Sequence, residues 1–190
     1  METIRCFRIS FLILASLPLT VACDREAPSE PDATVISENC QSYAKDGLAL
    51  CHPRHWSLAY DETDSLYANR DVSFNPSDFS KVSVLIYNEG IGDEVAIADK
   101  FARILKLKTS KNVENYRRSK VEITGLNGVR LSWRNTLLDP VSVEMTIVKI
   151  GDSPSPFFAV FNLTDEDIDK ESIYIPSFIK SISLQSFIKE

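Results

Sequence analysis

Four residues in one short part of the chain carry side chains suited to metal or redox chemistry. Cys51, His52 and His55 lie close together, and Cys40 precedes them. Thiolate and imidazole groups are ligands that zinc and other borderline metals prefer. A metal- or redox-active domain that uses these four residues is therefore one hypothesis for the function.

Two properties of the same residues argue against a metal site. In an extended segment, His52 and His55 would point to opposite faces. If Cys40 and Cys51 are oxidised to a disulfide, they cannot bind a metal as thiolates. The alternative interpretation is a disulfide with two surface histidines beside it.

The first 22 residues have the pattern of a bacterial lipoprotein signal peptide. Arg5 and Arg8 make a basic start, and residues 9–22 carry no charge. This run is shorter than the about 20 residues that span a bilayer, which is typical of a secretory signal. The small residue before Cys23 resembles a lipobox, so we predict a diacylglycerol and palmitate-type chains on Cys23. The alternative is an ordinary secretory signal.

Export would also decide the compartment and the state of the cysteines. Asp24 resembles the residue that retains lipoproteins in the inner membrane of enteric bacteria. We therefore predict a lipid-anchored protein on the periplasmic side of the bacterial cell envelope, with the inner membrane favoured. Outside the signal and the anchor only Cys40 and Cys51 remain, and exported thiols of this kind are expected to pair.

The local conformation around this disulfide is less obvious. A two-residue turn at Asp46-Gly47 would place Cys40 opposite Pro53, and the cysteines would then lie diagonally, about 7–8 Å apart. A disulfide prefers Cα atoms about 4.4–6.8 Å apart. Because Pro53 cannot donate to a strand ladder, we expect an irregular loop closed by the disulfide.

The chain is predicted to have three parts: a signal peptide at 1–22, a flexible tether at 23–38 and a single domain at 39–190. The tether region is acidic and lacks aromatic residues, so it cannot bury enough apolar surface to fold. Over the whole chain, 44% of residues are hydrophobic and 25% charged, which is ordinary for a globular protein. The net charge of −6 argues against nucleic acid as a partner.

Hydrophobic periodicity predicts an α+β domain. Alternating apolar residues indicate an antiparallel β-sheet meander with one buried face, and the run at 81–87 is apolar on both faces, as in a central strand. Asp93 is a suitable N-cap for a helix at 93–108, and Pro176 should kink or split a terminal helix at 165–184. Helices must cover the sheet, in a layered αβα-type sandwich. Strands are predicted at 55–60, 71–74, 81–87, 113–124, 129–137, 141–150 and 157–163.

Several segments together resemble the PsbP/DcrB-like family, over about residues 39–186. They are His52-Pro53-Arg54-His55-Trp56-Ser57-Leu58, the helix at 93–108, Gly125-Leu126-Asn127-Gly128 and Pro176-Ser177-Phe178-Ile179-Lys180-Ser181-Ile182. The resemblance implies an antiparallel sheet between helices and a non-enzymatic role at a membrane. Bacterial members include envelope lipoproteins, and plant members assist photosystem II. It carries over no catalytic residue, and the Cys40–Cys51 pair is not part of the family pattern.

Partial motifs elsewhere do not support catalysis. The acidic run that begins at Asp165 resembles a calcium loop, but Lys170 replaces the required glycine. Gly90 and Gly92 lack the third glycine of a phosphate-binding loop, and no Gly-x-Ser-x-Gly elbow occurs. We therefore predict a protein that is not an enzyme and needs no cofactor.

Basic residues are concentrated in the predicted meander, although the chain as a whole is acidic. Arg130 and Arg134 would share one face of a strand. Such a patch could bind an acidic partner or anionic lipid head groups, and the alternative is a solvated face that keeps the sheet soluble. The candidate binding patch consists of Arg117, Arg118, Lys120, Arg130 and Arg134.

Together these observations predict a membrane-tethered, non-catalytic envelope lipoprotein that binds a protein partner or assists assembly. One alternative is the metal- or redox-active periplasmic domain that uses Cys40, Cys51, His52 and His55. A third possibility is a small immunity- or phage-related lipoprotein, which no residue pattern separates from the first.

Overall fold

The structure, a computed structural model, describes residues 40–88, 91–137, 140–152 and 155–185. Within these ranges the chain forms ten strands, three α-helices and one 3-10 turn. The predicted signal peptide, the tether, Cys23 and Asp24 lie outside the described residues, so the predicted division of the chain stays a prediction.

The strands are β1 (Cys40–Lys45), β2 (Leu48–Pro53), β3 (Ser57–Thr63), β4 (Arg70–Asn75), β5 (Lys81–Ile86), β6 (Val113–Ile123), β7 (Leu126–Asn135), β8 (Val141–Gly151), β9 (Phe157–Thr164) and β10 (Ser183–Leu184). The helices are α1 (Glu94–Ile104), α2 (Asp165–Glu171) and α3 (Ile175–Ser181), and the 3-10 turn is Ser172–Tyr174.

The strands form two antiparallel sheets. The large sheet has seven strands in the order β3-β4-β5-β9-β8-β7-β6, and the small sheet has three in the order β1-β2-β10. The predicted α+β fold with an antiparallel sheet covered by helices is confirmed. None of the described helices is long and apolar enough to cross a membrane.

The large sheet has a hydrophobic core on each face. On one face, α1 buries Ile97, Ala98 and Phe101 against the sheet. On the other face, α3 and the small sheet pack against it through a second set of apolar side chains, which includes Phe178 and Leu48. Burying apolar surface on both faces contributes most of the driving force for such a layered fold.

The position of β9 differs from the predicted meander with one buried face. Seven of the eight residues of β9 are buried, because this strand lies between β5 and β8 with cores above and below it. The apolar run in β5 is buried in the same way, as predicted, with five of its six residues buried. Central strands that are covered on both faces do not show the alternation of buried and exposed residues that is seen in strands with one solvated face.

The two helical predictions are confirmed in type and corrected at their ends. The side chain of Asp93 accepts a hydrogen bond from the N–H of Ala96, as an N-cap should. Helix α1 ends at Ile104 and not near 108, because Lys106 has a positive φ of 53° that breaks the helix. In the C-terminal segment, Pro176 lies in the first turn of α3, so the helix is split in two.

The turn between β6 and β7 falls earlier than the gap at 125–128 that separates the predicted strands 113–124 and 129–137. Thr124 and Gly125 have positive φ values of 54° and 79° and form the connection between β6 and β7. Gly128 is inside β7, where an added Cβ would lie 2.8 Å from the carbonyl oxygen of Ile147. This glycine is therefore explained by close packing of β7 against β8 and not by a turn.

Candidate functional site

The two cysteines lie in a regular hairpin, so the predicted irregular loop is wrong. Strands β1 and β2 pair in register from Cys40 opposite Pro53 to Lys45 opposite Leu48, with Asp46 and Gly47 as the turn. Cys40 and Cys51 lie diagonally across this ladder as a disulfide pair, with Cα atoms 5.7 Å apart. Pro53 is the last residue of β2, where a missing N–H is tolerated.

The two histidines point into different surroundings. His52 is only 4% exposed, and its ring packs on Phe74 with centroids 4.5 Å apart. Burial lowers the pKa of His52. His55 is exposed, and its Nε2 lies 3.1 Å from both carboxylate oxygens of Glu171. Glu171 also accepts a hydrogen bond of 2.7 Å from Nε1 of Trp56.

These contacts argue against the metal hypothesis for this region. Cys40 and Cys51 are joined to each other, His52 is buried on an aromatic ring, and His55 is paired with a carboxylate. Within the described ranges, no group of three His, Cys, Asp or Glu side chains could hold a metal ion. His52 also differs from the predicted surface histidine, since β2 packs it into the core.

A broad depression of about 360 Å³ lies beside this hairpin. Its rim residues Arg54, Ser57 and Leu58 are exposed, and His55 on its wall is already paired with Glu171. It has the shape of an open groove, and we assign no chemistry to it.

The predicted basic patch is divided between the two faces of the sheet. Arg118 pairs with Leu131 across β6 and β7, and opposite residues of an antiparallel pair share a face. Leu131 is buried in the core under α1, so Arg118 and, two residues on, Lys120 belong to the α1 face. The Nη1 atom of Arg118 is 2.7 Å from Oδ1 of Asp99 on α1.

The other three residues of the patch come together on the opposite face. Arg117 pairs with Ser132 and thus lies diagonally between Arg130 and Arg134. Arg130 is half-buried, and its Nε lies 3.0 Å from Oε1 of Glu144. The two groups form an ion pair, but the geometry at Nε does not make a hydrogen bond. Arg117 and Arg134 are exposed, with no carboxylate oxygen within 4 Å among the described residues. We call Arg117, Arg130 and Arg134 the arginine face.

A second candidate site is a cavity of about 160 Å³ between α1 and the large sheet. Polar groups converge on it from four strands, among them Tyr60, Asp71, Lys81 and Asn162. Its remaining walls are apolar. No sequence motif marks this site, since its residues extend from Tyr60 to Asn162, about a hundred positions apart. The only local signal was polar side chains inside otherwise apolar strands. The apolar wall residues are Leu85, Phe101, Leu105, Met145 and Val160.

Comparison with known proteins yields likenesses of structure alone. No family model matches the chain, and no curated protein matches it. The solved cyanobacterial PsbP (CyanoP) of Synechocystis matches with a TM-score of 0.48 and 13% identity, over 77% of this chain and 93% of that one. The Saccharomyces cerevisiae Ran-binding protein Mog1p matches with a TM-score of 0.45 and 9% identity, over 77% of this chain and 95% of that one.

A third solved structure is LpqN, a Mycobacterium tuberculosis protein involved in cell envelope biogenesis. It matches with a TM-score of 0.41 and 14% identity, over 84% of this chain and all of that one. The PsbP-like resemblance stated from the sequence fits these structures. At such identities the likeness concerns the fold, and it carries no argument about activity or partners.

Proposed function

We propose that this protein is a lipid-anchored, non-catalytic protein of the bacterial cell envelope that binds an acidic protein partner through the arginine face. The observation that supports this is the grouping of Arg117, Arg130 and Arg134 on one side of the sheet. The chain as a whole has a net charge of −6, so such a local cluster of cations is not a consequence of composition.

The chemistry of the arginine face suits carboxylate groups. A guanidinium presents a planar fork of donors that can bind a carboxylate through two hydrogen bonds. Arg117 and Arg134 have no such partner among the described residues, while the serines beside them, Ser119 and Ser132, are too small to cover them. An acidic surface on a partner would therefore find free donors on Arg117 and Arg134 without displacing the ion pair between Arg130 and Glu144.

The predicted anchor would hold this face near a membrane. If Cys23 carries the lipid, sixteen residues separate it from the first strand at Cys40. A segment of that length spans at most about 55 Å when extended. The arginine face could then reach a membrane protein or its periplasmic part.

The partner contact is tested by crosslinking in intact cells, followed by identification of the attached protein. The test variant reverses two charges, Arg117→Glu with Arg134→Glu. The matched control reverses two exposed charges elsewhere, Lys108→Glu with Lys120→Glu, with the same change in net charge. We expect the crosslink to disappear in the test variant and to persist in the control. Equal crosslinking of both variants would refute the arginine face as the binding surface.

The same variants separate a protein partner from a lipid surface. Vesicles containing anionic phospholipid are mixed with the purified protein at low salt. Both variants carry the additional change Cys23→Ser here, so that no lipid anchor contributes to the association. If the arginine face bound lipid, the control would associate with the vesicles and the test variant would not. We expect neither variant to associate.

Anchoring is tested separately with Cys23→Ser. Thioether-linked acyl chains attach a protein to the bilayer because each buried methylene contributes about 0.8 kcal/mol. We expect the variant to be misprocessed or released from the membrane fraction, and the wild-type mass to include the lipid. A variant that matures normally and remains in the membrane would show that Cys23 is not the anchor.

A further inference from the structure

We propose that the cavity between α1 and the large sheet binds a small zwitterion of the amino acid class, one with an apolar side chain. This cavity lies on the face of the sheet opposite to the arginine face. The inference is therefore independent of the partner contact proposed above, and it can be tested without knowing that partner.

The first element is a buried carboxylate with room for a cation. Asp71 is only 1% exposed. Its oxygens accept hydrogen bonds from Oγ of Ser73 at 2.8 Å and from the hydroxyl of Tyr60 at 3.2 Å. No Lys or Arg nitrogen of the described chain lies within 4 Å of it. A carboxylate offers about four acceptor positions, so two remain for a ligand.

Isolation of this kind is costly for the protein alone. Burial raises the pKa of Asp71, because the charged form is poorly solvated there. The charge of Lys81 opposes this rise of the pKa but does not outweigh it. An ammonium group from a ligand would add a closer counter-charge and further donors. The neutral partners Ser73 and Tyr60 would hold the carboxylate in place while the ligand binds.

The second element is a cation that no carboxylate contacts directly in the described part of the chain. The ammonium of Lys81 lies over the ring of Tyr60, 4.7 Å from its centroid, and no carboxylate oxygen within the described ranges is within 4 Å of it. Tyr60 therefore touches both charges: its ring contacts Lys81, and its hydroxyl donates to Asp71. Tyr60 thus lies between the two charges, and a short zwitterion would place its ammonium at Asp71 and its carboxylate at Lys81.

The third element is an acceptor without a donor. Oδ1 of Asn162 is buried and has no hydrogen-bond partner in the described part of the protein. Asn162 lies directly opposite Lys81 on the neighbouring strand. Buried polar atoms are almost always paired, so an unpaired acceptor on the wall of a cavity calls for a donor, and the ammonium group is the donor that a zwitterion carries.

The remaining walls define the rest of the ligand. Leu85, Met145 and Val160 come from the sheet, and Phe101 and Leu105 come from α1 and its C-terminal end. All but Leu105 are buried, so they offer an apolar surface that favours an aliphatic side chain. The cavity of about 160 Å³ has room for a small molecule of this kind.

The chain contains its own reporter for this site. Its two methionines are Met1, in the predicted signal peptide, and Met145, on the cavity wall. Full-length protein labelled with carbon-13 in the methionine methyl groups, in detergent micelles, therefore gives a signal at the cavity. We expect L-leucine to shift the Met145 signal in a saturable way.

Matched ligands and variants then test each charge. N-acetylleucine lacks the ammonium and leucinamide lacks the carboxylate, and each should bind at least about tenfold more weakly than leucine, as expected when a hydrogen bond to a charged group is lost. Asp71→Asn and Lys81→Met should each weaken the binding of leucine by a similar factor. The binding of leucinamide should be weakened by Asp71→Asn and unchanged by Lys81→Met, because leucinamide has no carboxylate for Lys81 to contact. Lys120→Met, on an exposed part of the same sheet face, is the control and should bind leucine normally.

Two results would overturn the proposal. The first is a Met145 signal that leucine does not shift at any concentration short of its solubility. The second is equal binding of leucine and both of its analogues, which would mean an apolar cavity without recognition of charge. If Asp71→Asn does not fold, the analogues on the wild-type protein together with Lys81→Met still decide between these outcomes.

Discussion

Arg70 and Asp61 form a two-point ion pair across β3 and β4. Nε of Arg70 lies 2.9 Å from Oδ1 of Asp61, and Nη2 lies 3.1 Å from Oδ2. The same guanidinium donates to the carbonyl oxygens of Lys45 and Asp46 at the turn between β1 and β2, and Asp61 accepts a 2.7 Å hydrogen bond from the hydroxyl of Tyr43. This pair therefore attaches the small sheet to the edge of the large sheet.

Loss of this attachment should be costly. The side chains of Arg70 and Asp61 are only 11% and 8% exposed. Arg70→Met would leave Asp61 buried with a weaker set of partners, so we expect a loss of about 3 kcal/mol in the free energy of unfolding. Arg117→Met is the matched control, an exposed arginine whose replacement should change stability by less than about 0.5 kcal/mol. Urea denaturation measures both, and equal losses would contradict the attachment.

The same pair predicts how stability depends on pH. Burial alone would raise the pKa of Asp61, but hydrogen bonds from Arg70, Lys45 and Tyr43 outweigh it and hold the pKa well below its usual range. A carboxyl whose pKa is depressed by folding stabilises the protein above its unfolded pKa of about 3.9, and loses this contribution as the pH falls towards the folded value.

The test compares wild type with Asp61→Asn by urea denaturation at a series of pH values. We expect wild type to be more stable near neutral pH, and the difference to shrink steadily below about pH 4. The pKa of Asp167 is also lowered, since hydrogen bonds from Ser77, Ser80 and Thr164 outweigh the effect of its burial. Its contribution is present in both proteins and cancels. A difference that stays constant down to about pH 2 would exclude Asp61 as the titrating group.

Trp133 should be a core residue of the α1 face. It is 8% exposed, and it packs in the same core as Leu131 and Phe101. Replacing it with alanine removes a large buried side chain and leaves a cavity, so we expect Trp133→Ala to cost about 3–5 kcal/mol. Arg134→Ala, the exposed neighbour, serves as the control. A loss below about 1 kcal/mol for Trp133→Ala would place this side chain at the surface.

The disulfide between Cys40 and Cys51 is tested by intact mass after alkylation. We expect the envelope-purified protein to take up no alkyl group at these cysteines before reduction and two after it. Closing a 12-residue loop should stabilise the protein by roughly 3 kcal/mol in the chain-entropy model. Two reactive thiols before reduction would mean that the pair is not oxidised in the cell. Cys40→Ala with Cys51→Ala then gives the stability difference directly.

Local patterns were sufficient to predict most elements of the large sheet and its helices. The helix starts where Asp93 can cap it, and the C-terminal helix breaks at Pro176. The run at 81–87 is apolar at successive positions, and β5 is indeed central. These features depend on neighbouring residues, whose conformational preferences the amino-acid order shows directly.

Alternation along a strand could also have divided the basic patch. Arg117 and Arg118 are consecutive in β6, and consecutive strand residues point to opposite faces. The predicted patch combined the two arginines because they are adjacent in the chain, whereas Arg118 turns towards Asp99. What the sequence did not contain was the register of β6 against β7, with its irregularity between Glu114 and Arg117.

By itself the sequence determined the types and approximate limits of most elements of the large sheet and its helices, because these follow from local periodicity and capping. Only the tertiary structure decided which distant residues meet. The insertion of β9 between β5 and β8 brings Asn162 opposite Lys81, and the pairing of β4 with β5 adds Asp71 to the same cavity. Strand order and register arise from the packing of the whole chain, and many orders are compatible with the same local pattern.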